Sequence, residues 1–324
     1  MATTPLSILI FGATGNIGQF ITNNIVQAKP NGAKITIFTS ANTATAKSAL
    51  LQGWKESGVS VIVGDITNTS DIKNAYHGID TVVSCVGRAV LDQQQELIRL
   101  AEESDTVQWF FPSEYGTDIE HNAKSPTEKP HQKKLAIRKY IREQTKRLKV
   151  TYVVVGPYFE MWVDGGNLGD QIGGFNVKTG EAAVVDDGEG KIAFTTMNDT
   201  GKAVVAALRH PEASYNKALK IASFVVTPNQ VLAELEKQLG KKFEVKSIPL
   251  QNLEKSEAEL WQSGNPIATI ATLRRIWATG GTLYEKWDNA TLGLGETNMD
   301  SLQVAVKAYL ETSGYARDAK DKKL

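Results

Sequence analysis

Along the first half of the chain, short runs of β-branched and aromatic residues alternate with longer stretches in which apolar positions recur every three or four residues. The short runs predict strands at Ser7–Phe11, Lys34–Phe38, Val59–Val63, Asp80–Cys85, Gln108–Phe111 and Thr151–Val155. Near-continuous apolar character over so few residues suits strands buried on both faces. The longer stretches predict helices at Ile17–Ala28, Thr43–Glu56, Ser70–Tyr76, Asp92–Glu103 and His131–Arg147, each with one apolar face turned inward. Strand and helix in alternation give parallel strands joined by crossover helices, so the expected class is α/β with a doubly wound parallel sheet. After Gly156–Pro157 the character changes: glycines cluster between Gly165 and Gly190, and helical segments carrying Trp261, Trp277 and Trp287 follow. We expect a main domain over residues 1–156 and a smaller C-terminal lobe over 157–324. Parts of about 191–226, such as Leu219–Val226, are expected to return to the main sheet.

Composition narrows the partners. The 324 residues balance 36 basic against 36 acidic side chains, so no global field draws the protein to nucleic acid or to an anionic membrane. A single cysteine, Cys85, excludes an intramolecular disulfide and a multi-cysteine zinc site, and four scattered histidines offer no metal spacing. No metal is expected. The N-terminus lacks the basic region of a secretory signal, and no run approaches the roughly 18 apolar residues of a membrane span. A cytoplasmic protein is the expectation; the terminal Lys322-Lys323-Leu324 departs from a peroxisomal Ser-Lys-Leu address at its first position.

The first strand runs into Gly12-Ala13-Thr14-Gly15-Asn16-Ile17-Gly18 and then into a helix. In such a loop the first glycine permits the tight turn, the second lets backbone approach a pyrophosphate, and the third allows close helix packing. Free N–H groups at the helix start face the anion. The sheet is therefore expected to be of Rossmann type and the bound species a dinucleotide. An NAD site would carry a carboxylate at the end of the second strand, but no acidic residue occurs before Glu56, and Thr39 and Ser40 end that strand. Hydroxyls with Lys47 on the next helix suit a 2′-phosphate, which favours NADP(H); the competing reading makes Lys47 an ordinary surface lysine. Asp65 is placed to approach the adenine, and Val86 and Gly87 to pass beside the phosphates or the nicotinamide ribose. Cys85 reads as a packed small hydrophobe.

Between Lys124 and Lys149 ten basic residues face two acids, a local charge of +8. Charge runs of this kind usually form a solvated helix face. Lys134 stands apart, because at 100° per residue it shares the inward stripe of Ile137, Ile141 and Leu148. Desolvation there would lower its pKa and equip it for proton transfer or for stabilising an oxyanion, unless it snorkels past the stripe. Lys133 lies about 100° away and is the lesser choice. None of the nine tyrosines has a lysine four residues on, so a Tyr-x-x-x-Lys proton relay is excluded.

A resemblance that spans most of the chain rests on the glycine loop, Gly64-Asp65, Val82-Val83-Ser84-Cys85-Val86-Gly87, Phe110-Phe111-Pro112-Ser113-Glu114-Tyr115-Gly116 and Lys133-Lys134-Leu135-Ala136-Ile137-Arg138. In these motifs the sequence resembles the atypical short-chain dehydrogenases of the isoflavone reductase and phenylcoumaran benzylic ether reductase group, with their NmrA-like relatives. The resemblance implies NADPH-dependent reduction of small aromatic compounds, phenylpropanoid- or polyketide-like, with Lys134 acting at the nicotinamide end. Plant members often carry an arginine where Thr39 and Ser40 stand, and an aromatic where His131 stands.

Ligands of open α/β sheets bind beyond the carboxyl ends of the strands. Pro157 is expected beside the cofactor, and Tyr158, Phe159 and Trp162 to wall a substrate pocket, or else to pack between lobes. Ser113 and Tyr115 lie at the same sheet edge, within reach of substrate, whereas Glu114 and Glu160 are expected to pair with basic helix residues. The alternative to a reductase is a catalytically silent NADP/NADPH sensor acting through a protein partner; a filled cleft would favour it and an open aromatic pocket the enzyme. A homodimer is compatible with either.

Overall fold

The computed structural model describes residues 6–164 and 169–313; the Lys322–Leu324 tail, residues 1–5 and the pair Gly165–Gly166 lie outside them. Strand β1 (Ser7–Phe11) is followed by α1 (Asn16–Ala28), β2 (Lys34–Thr39), α2 (Ala41–Ala46), α3 (Ser48–Glu56), β3 (Ser60–Val63), α4 (Thr69–Ala75) and β4 (Thr81–Ser84). Next come α5 (Gln94–Glu103), β5 (Trp109–Phe111), α6 (Gln132–Gln144) and β6 (Lys149–Val154). These six strands run parallel in the order β6-β5-β4-β1-β2-β3. The order reverses between β1 and β4, which opens a crevice at their carboxyl ends.

Residue alternation along each strand feeds two cores. Ile8 and Ile10 of β1 join Ile21, Ile25, Trp109 and Phe111 on one face. Leu9 and Phe11 join Val82, Phe110, Ile137 and Ile141 on the other. Both faces are covered, which is why the strands read as continuous apolar runs.

Beyond β6 the chain forms α7 (Phe159–Val163), α8 (Gly169–Ile172), β7 (Gly174–Asn176), β8 (Glu181–Val185), β9 (Ile192–Phe194), α9 (Met197–Arg209) and α10 (Pro211–Ser214). It then returns as β10 (Lys217–Lys220), which pairs parallel with β6 as the seventh strand of the main sheet. Within Leu219–Val226 only that first part joins the sheet: β11 (Phe224–Val226) pairs antiparallel with β9 instead. The rest comprises α11 (Pro228–Leu239), β12 (Glu244–Ile248), α12 (Leu250–Gln262), α13 (Ala268–Ala278) and α14 (Leu302–Thr312). Strands β12-β8-β7 form a separate sheet, and Phe159, Trp162, Phe175, Phe194, Val231, Leu235 and Tyr309 fill the core of that region. No helix among the described residues is long and apolar enough to cross a membrane.

Two helices differ from the pattern-based expectation. Thr43–Glu56 is broken at Lys47, whose φ of −115° and ψ of 27° leave the helical region. Helix α2 buries no residue, whereas α3 buries Leu51 and Trp54, so packing fixes only the second axis. Helix α6 stops at Gln144 rather than Arg147, because the Glu102 carboxylate accepts the backbone N–H groups of Lys146, Arg147 and Leu148 at 2.9 Å each. Leu148 is thus buried, but outside the helix whose stripe it was expected to extend.

Candidate active site

The glycine loop is shaped by close backbone contacts. Gly12 has a φ of +70°, and a Cβ there would collide with the Cys85 carbonyl. At Gly18 a Cβ would strike the Gly12 carbonyl, whereas at Gly15 it would stand 3.2 Å from that oxygen. Helix α1 begins after Gly15 with no side-chain cap and no acid in its first turn, so Asn16, Ile17 and Gly18 open it with amides available to an anion. A cleft in front of this loop is lined by Gly12, Thr14, Thr39, Ser40, Thr43, Asp65, Val86 and Gly87 among others. Ser40 caps α2, accepting from Thr43 N at 3.2 Å. Asp65 Oδ1 accepts from the N–H and hydroxyl of Thr67, both at 2.8 Å, and these bonds lower its pKa. Lys47 is exposed between α2 and α3 and is not among the cleft-lining residues. The hydroxyls of Thr39, Ser40 and Thr43, with no carboxylate on β2, leave room for a phosphorylated dinucleotide.

A second cavity of about 310 Å³ adjoins the cleft along the loop after β4: Val86, Gly87 and Val90 line the cleft, and Arg88 lines the cavity. Lys134 borders this cavity with Tyr115, Pro157, Tyr158, Trp162 and Trp277. Its Nζ donates to the Glu114 carbonyl at 2.9 Å. Burial lowers its pKa to about 8; Arg88 and Arg138 push the same way, against Glu114. Lys133, by contrast, is exposed and pairs with Asp92 at 2.5 Å.

Neither nearby phenol is tuned for proton release. Tyr158 Oη donates to the Tyr115 carbonyl at 2.6 Å, and burial raises both phenol pKa values well above the usual range. Burial also pushes the Cys85 thiol up to about 12, so it is a packed, inert thiol. Ser113 is buried with its hydroxyl donating to the Val86 carbonyl at 2.9 Å, and Phe159 lies in the core; neither is among the cavity-lining residues. Glu114 does pair with a basic helix residue: its carboxylate accepts from Arg138 Nε at 2.8 Å, with both side chains almost wholly enclosed. Glu160 instead accepts from Met197 N at 3.0 Å.

Three titratable cavity residues went unremarked as site residues in the sequence: Arg88, His131 and Arg274. His131 is 3% exposed. Its Nδ1 lies 2.7 Å from the Ser125 carbonyl, which can only accept, so Nδ1 carries the proton and Nε2 is left as a free acceptor without a partner. Burial lowers its pKa, which keeps the ring neutral. Arg274 sits in the apolar stripe Ile270, Leu273, Arg274, Trp277, a signal of the same kind as the one at Lys134.

Comparison with known proteins gives the following. The NmrA-like family model matches residues 5–264. An isoflavone reductase from Pisum sativum is 29% identical over 254 residues, covering 74% of this chain and 78% of its own length. A phenylcoumaran benzylic ether reductase from Ginkgo biloba is 28% identical, covering 94% of this chain and 97% of its own. Among solved structures, the binary complex of leucoanthocyanidin reductase with NADPH from Vitis vinifera superposes with a TM-score of 0.78 at 20% identity, covering 94% of this chain and 99% of that one. At that identity the likeness is one of fold.

Proposed function

Because the chain belongs to the NmrA-like family, we propose that it is an oxidoreductase, an NADPH-dependent reductase of small aromatic compounds in which Lys134 is the catalytic residue. The observation that carries this reading is an open, aromatic-walled cavity bordered by a desolvated lysine, with Arg88 of the loop after β4 lining it while Gly87 and Val90 of the same loop line the dinucleotide cleft. A filled cleft would have favoured a silent sensor.

The pyrophosphate is assigned to the loop Gly12, Thr14 and Gly15 and to the amides of Asn16, Ile17 and Gly18. The 2′-phosphate is assigned to Thr39, Ser40 and Thr43, with Lys47, exposed at the end of α2, as the nearest basic residue in sequence. Asp65 faces the adenine side, and Val86, Gly87 and Pro157 the nicotinamide side. When bound, the cofactor supplies a hydride. The chain's own contribution is electrostatic: Lys134, held by the Glu114 carbonyl, directs an ammonium into a space of low dielectric, where it stabilises negative charge developing on a substrate oxygen. Tyr115, Tyr158 and Trp162 supply flat apolar walls that suit an aromatic ring.

The test is incubation of the purified protein with NADPH and a panel of conjugated aromatic carbonyls and quinone methides, following nicotinamide absorbance. At least one compound should be reduced. Tight cofactor binding without turnover of any compound would sink the reductase reading and leave the sensor. With no carboxylate at the end of β2, NADP(H) should bind at least about tenfold tighter than NAD(H), roughly 1.4 kcal/mol; equal affinities would refute the assignment of Thr39 and Ser40.

A further inference from the structure

Among the described residues two arginines are buried, Arg138 and Arg274, and Arg275 is half-buried beside the second. Arg138 holds Glu114, Asp118 and Glu120, and Arg275 holds Glu128 and Glu257. Arg274, adjacent on α13 and only 6% exposed, has no carboxylate within 4.0 Å among the described residues. Its Nη2 donates to the Trp162 carbonyl at 2.6 Å, and the guanidinium lies 5.1 Å from the centroid of the Trp162 ring. Nε is buried without a partner. Burial alone lowers its pKa, to about 10, so it remains charged at neutral pH. An unpaired cation at this depth is costly, and one carbonyl and a cation–π contact offset only part of that cost.

The charge has a direction. The cavity beside Lys134 is lined by three cations, Arg88, Lys134 and Arg274, and by no aspartate or glutamate. On the other side of Arg274 a smaller cavity of about 140 Å³ does carry Asp186 and Asp187. Neither of those carboxylates pairs with Arg274 or shifts its pKa; each turns instead to a backbone amide, of Leu250 at 2.8 Å and of Glu189 at 3.0 Å. A ligand that neutralises Arg274 must therefore bring its own negative charge into the larger cavity. A guanidinium fork matches a planar carboxylate better than a point-like phenolate.

We propose that Arg274 anchors a carboxylate borne by the aromatic substrate, so that the compounds this protein accepts are aromatic acids rather than neutral phenols or ethers. The inference rests on the reductase reading, which gives this cavity to the substrate. It assigns Arg274 to recognition and Lys134 to the reacting end.

The test measures binding of cinnamate and of its methyl ester to the NADP⁺-saturated protein by calorimetry. Wild type should bind the acid about tenfold or more tightly than the ester. Arg274→Gln should lose that preference while keeping ester affinity, and Arg274→Lys should keep a reduced preference. In the absence of acid, Arg274→Met should melt no lower than wild type, because it removes a charge with no counter-ion. Equal affinity for acid and ester in wild type, failure of the acid to bind, a preference that survives in Arg274→Gln, or a lowered melting temperature in Arg274→Met would each overturn the anchor. Should Arg274→Gln fail to fold, the wild-type ratio and Arg274→Lys still decide. Reduction of neutral aromatics without any preference for acids would remove the anchor and leave the reductase standing; no NADPH consumption with any aromatic would remove the reductase itself.

Discussion

The ammonium of Lys134 is useful because it is uncomfortable. Removing it should cost about 10²–10³ in kcat, the loss that follows deletion of one well-placed oxyanion partner, while Lys133→Ala, which cuts only a surface pair with Asp92, should leave the rate nearly unchanged. Equal losses would refute the assignment. The same desolvation has a consequence for stability. Unfolded, the lysine takes up its proton below its ordinary pKa of 10.5, and folded only below about 8. Between those values the unfolded chain holds more protons, so the folded state gains as pH rises. Wild type should therefore gain on Lys134→Met by up to about 3 kcal/mol across that window in denaturant titrations; a difference independent of pH would show that the lysine is not desolvated. Periodicity alone singled out this residue, since it interrupts the apolar face of Ile137 and Ile141. Arg274 was legible by the same rule on Ile270, Leu273 and Trp277. His131 was not, because its value lies in an unpartnered Nε2, which follows from how the short turns before α6 fold the Ser125 carbonyl onto Nδ1.

Elements were legible where one local rule governs them. The β1–α1 turn follows from spacing of glycines, yet the three glycines do different physical work. Ala at Gly12 meets both a left-handed backbone and the Cys85 carbonyl, and Ala at Gly18 meets the Gly12 carbonyl. Each should lower stability by about 2 kcal/mol or more, at Gly12 because the left-handed backbone, itself worth roughly 1–2, adds to the clash, and at Gly18 through the clash alone. Gly15 has an ordinary extended backbone, φ −72° and ψ 172°, and only a tight 3.2 Å approach to the Gly12 carbonyl, so Gly15→Ala should lower the melting temperature far less than the other two while weakening NADPH binding. If all three variants unfolded alike, the loop would be structural rather than a cofactor cradle. Where an element end depends on a distant partner, sequence offered no handle. The Glu102 carboxylate that stops α6 comes from α5, and the break at Lys47 reflects which of two short helices finds a core to pack on.

At the scale of the whole molecule, the β5–α6 connection carries both cavity residues, Tyr115, Thr117 and His131, and the acids that Arg138 gathers. The later part of the chain clamps it: Tyr284 Oη accepts from Asp118 N at 2.9 Å, Trp277 Nε1 donates to Thr117 Oγ1 at 2.8 Å, Lys220 pairs with Asp118 at 3.3 Å, and Arg275 reaches Glu128 at 2.7 Å. Such pairings join residues far apart in the chain, and composition gives no sign of which charges meet; the basic run around α6 reads as a solvated face, and Arg138, like Lys134, is a member that is not. Arg138→Met should destabilise by about 3–5 kcal/mol, because it strands Glu114 in a dry interior and leaves Asp118 to Lys220 alone. Because Lys134 is held by the Glu114 carbonyl, activity should fall further than the folded fraction does. Adding Glu114→Gln to Arg138→Met removes one stranded charge and should recover part of the melting temperature but less of kcat, since the lysine still lacks its fixed support. Full recovery of both would mean that the network only stabilises the fold and takes no part in positioning Lys134.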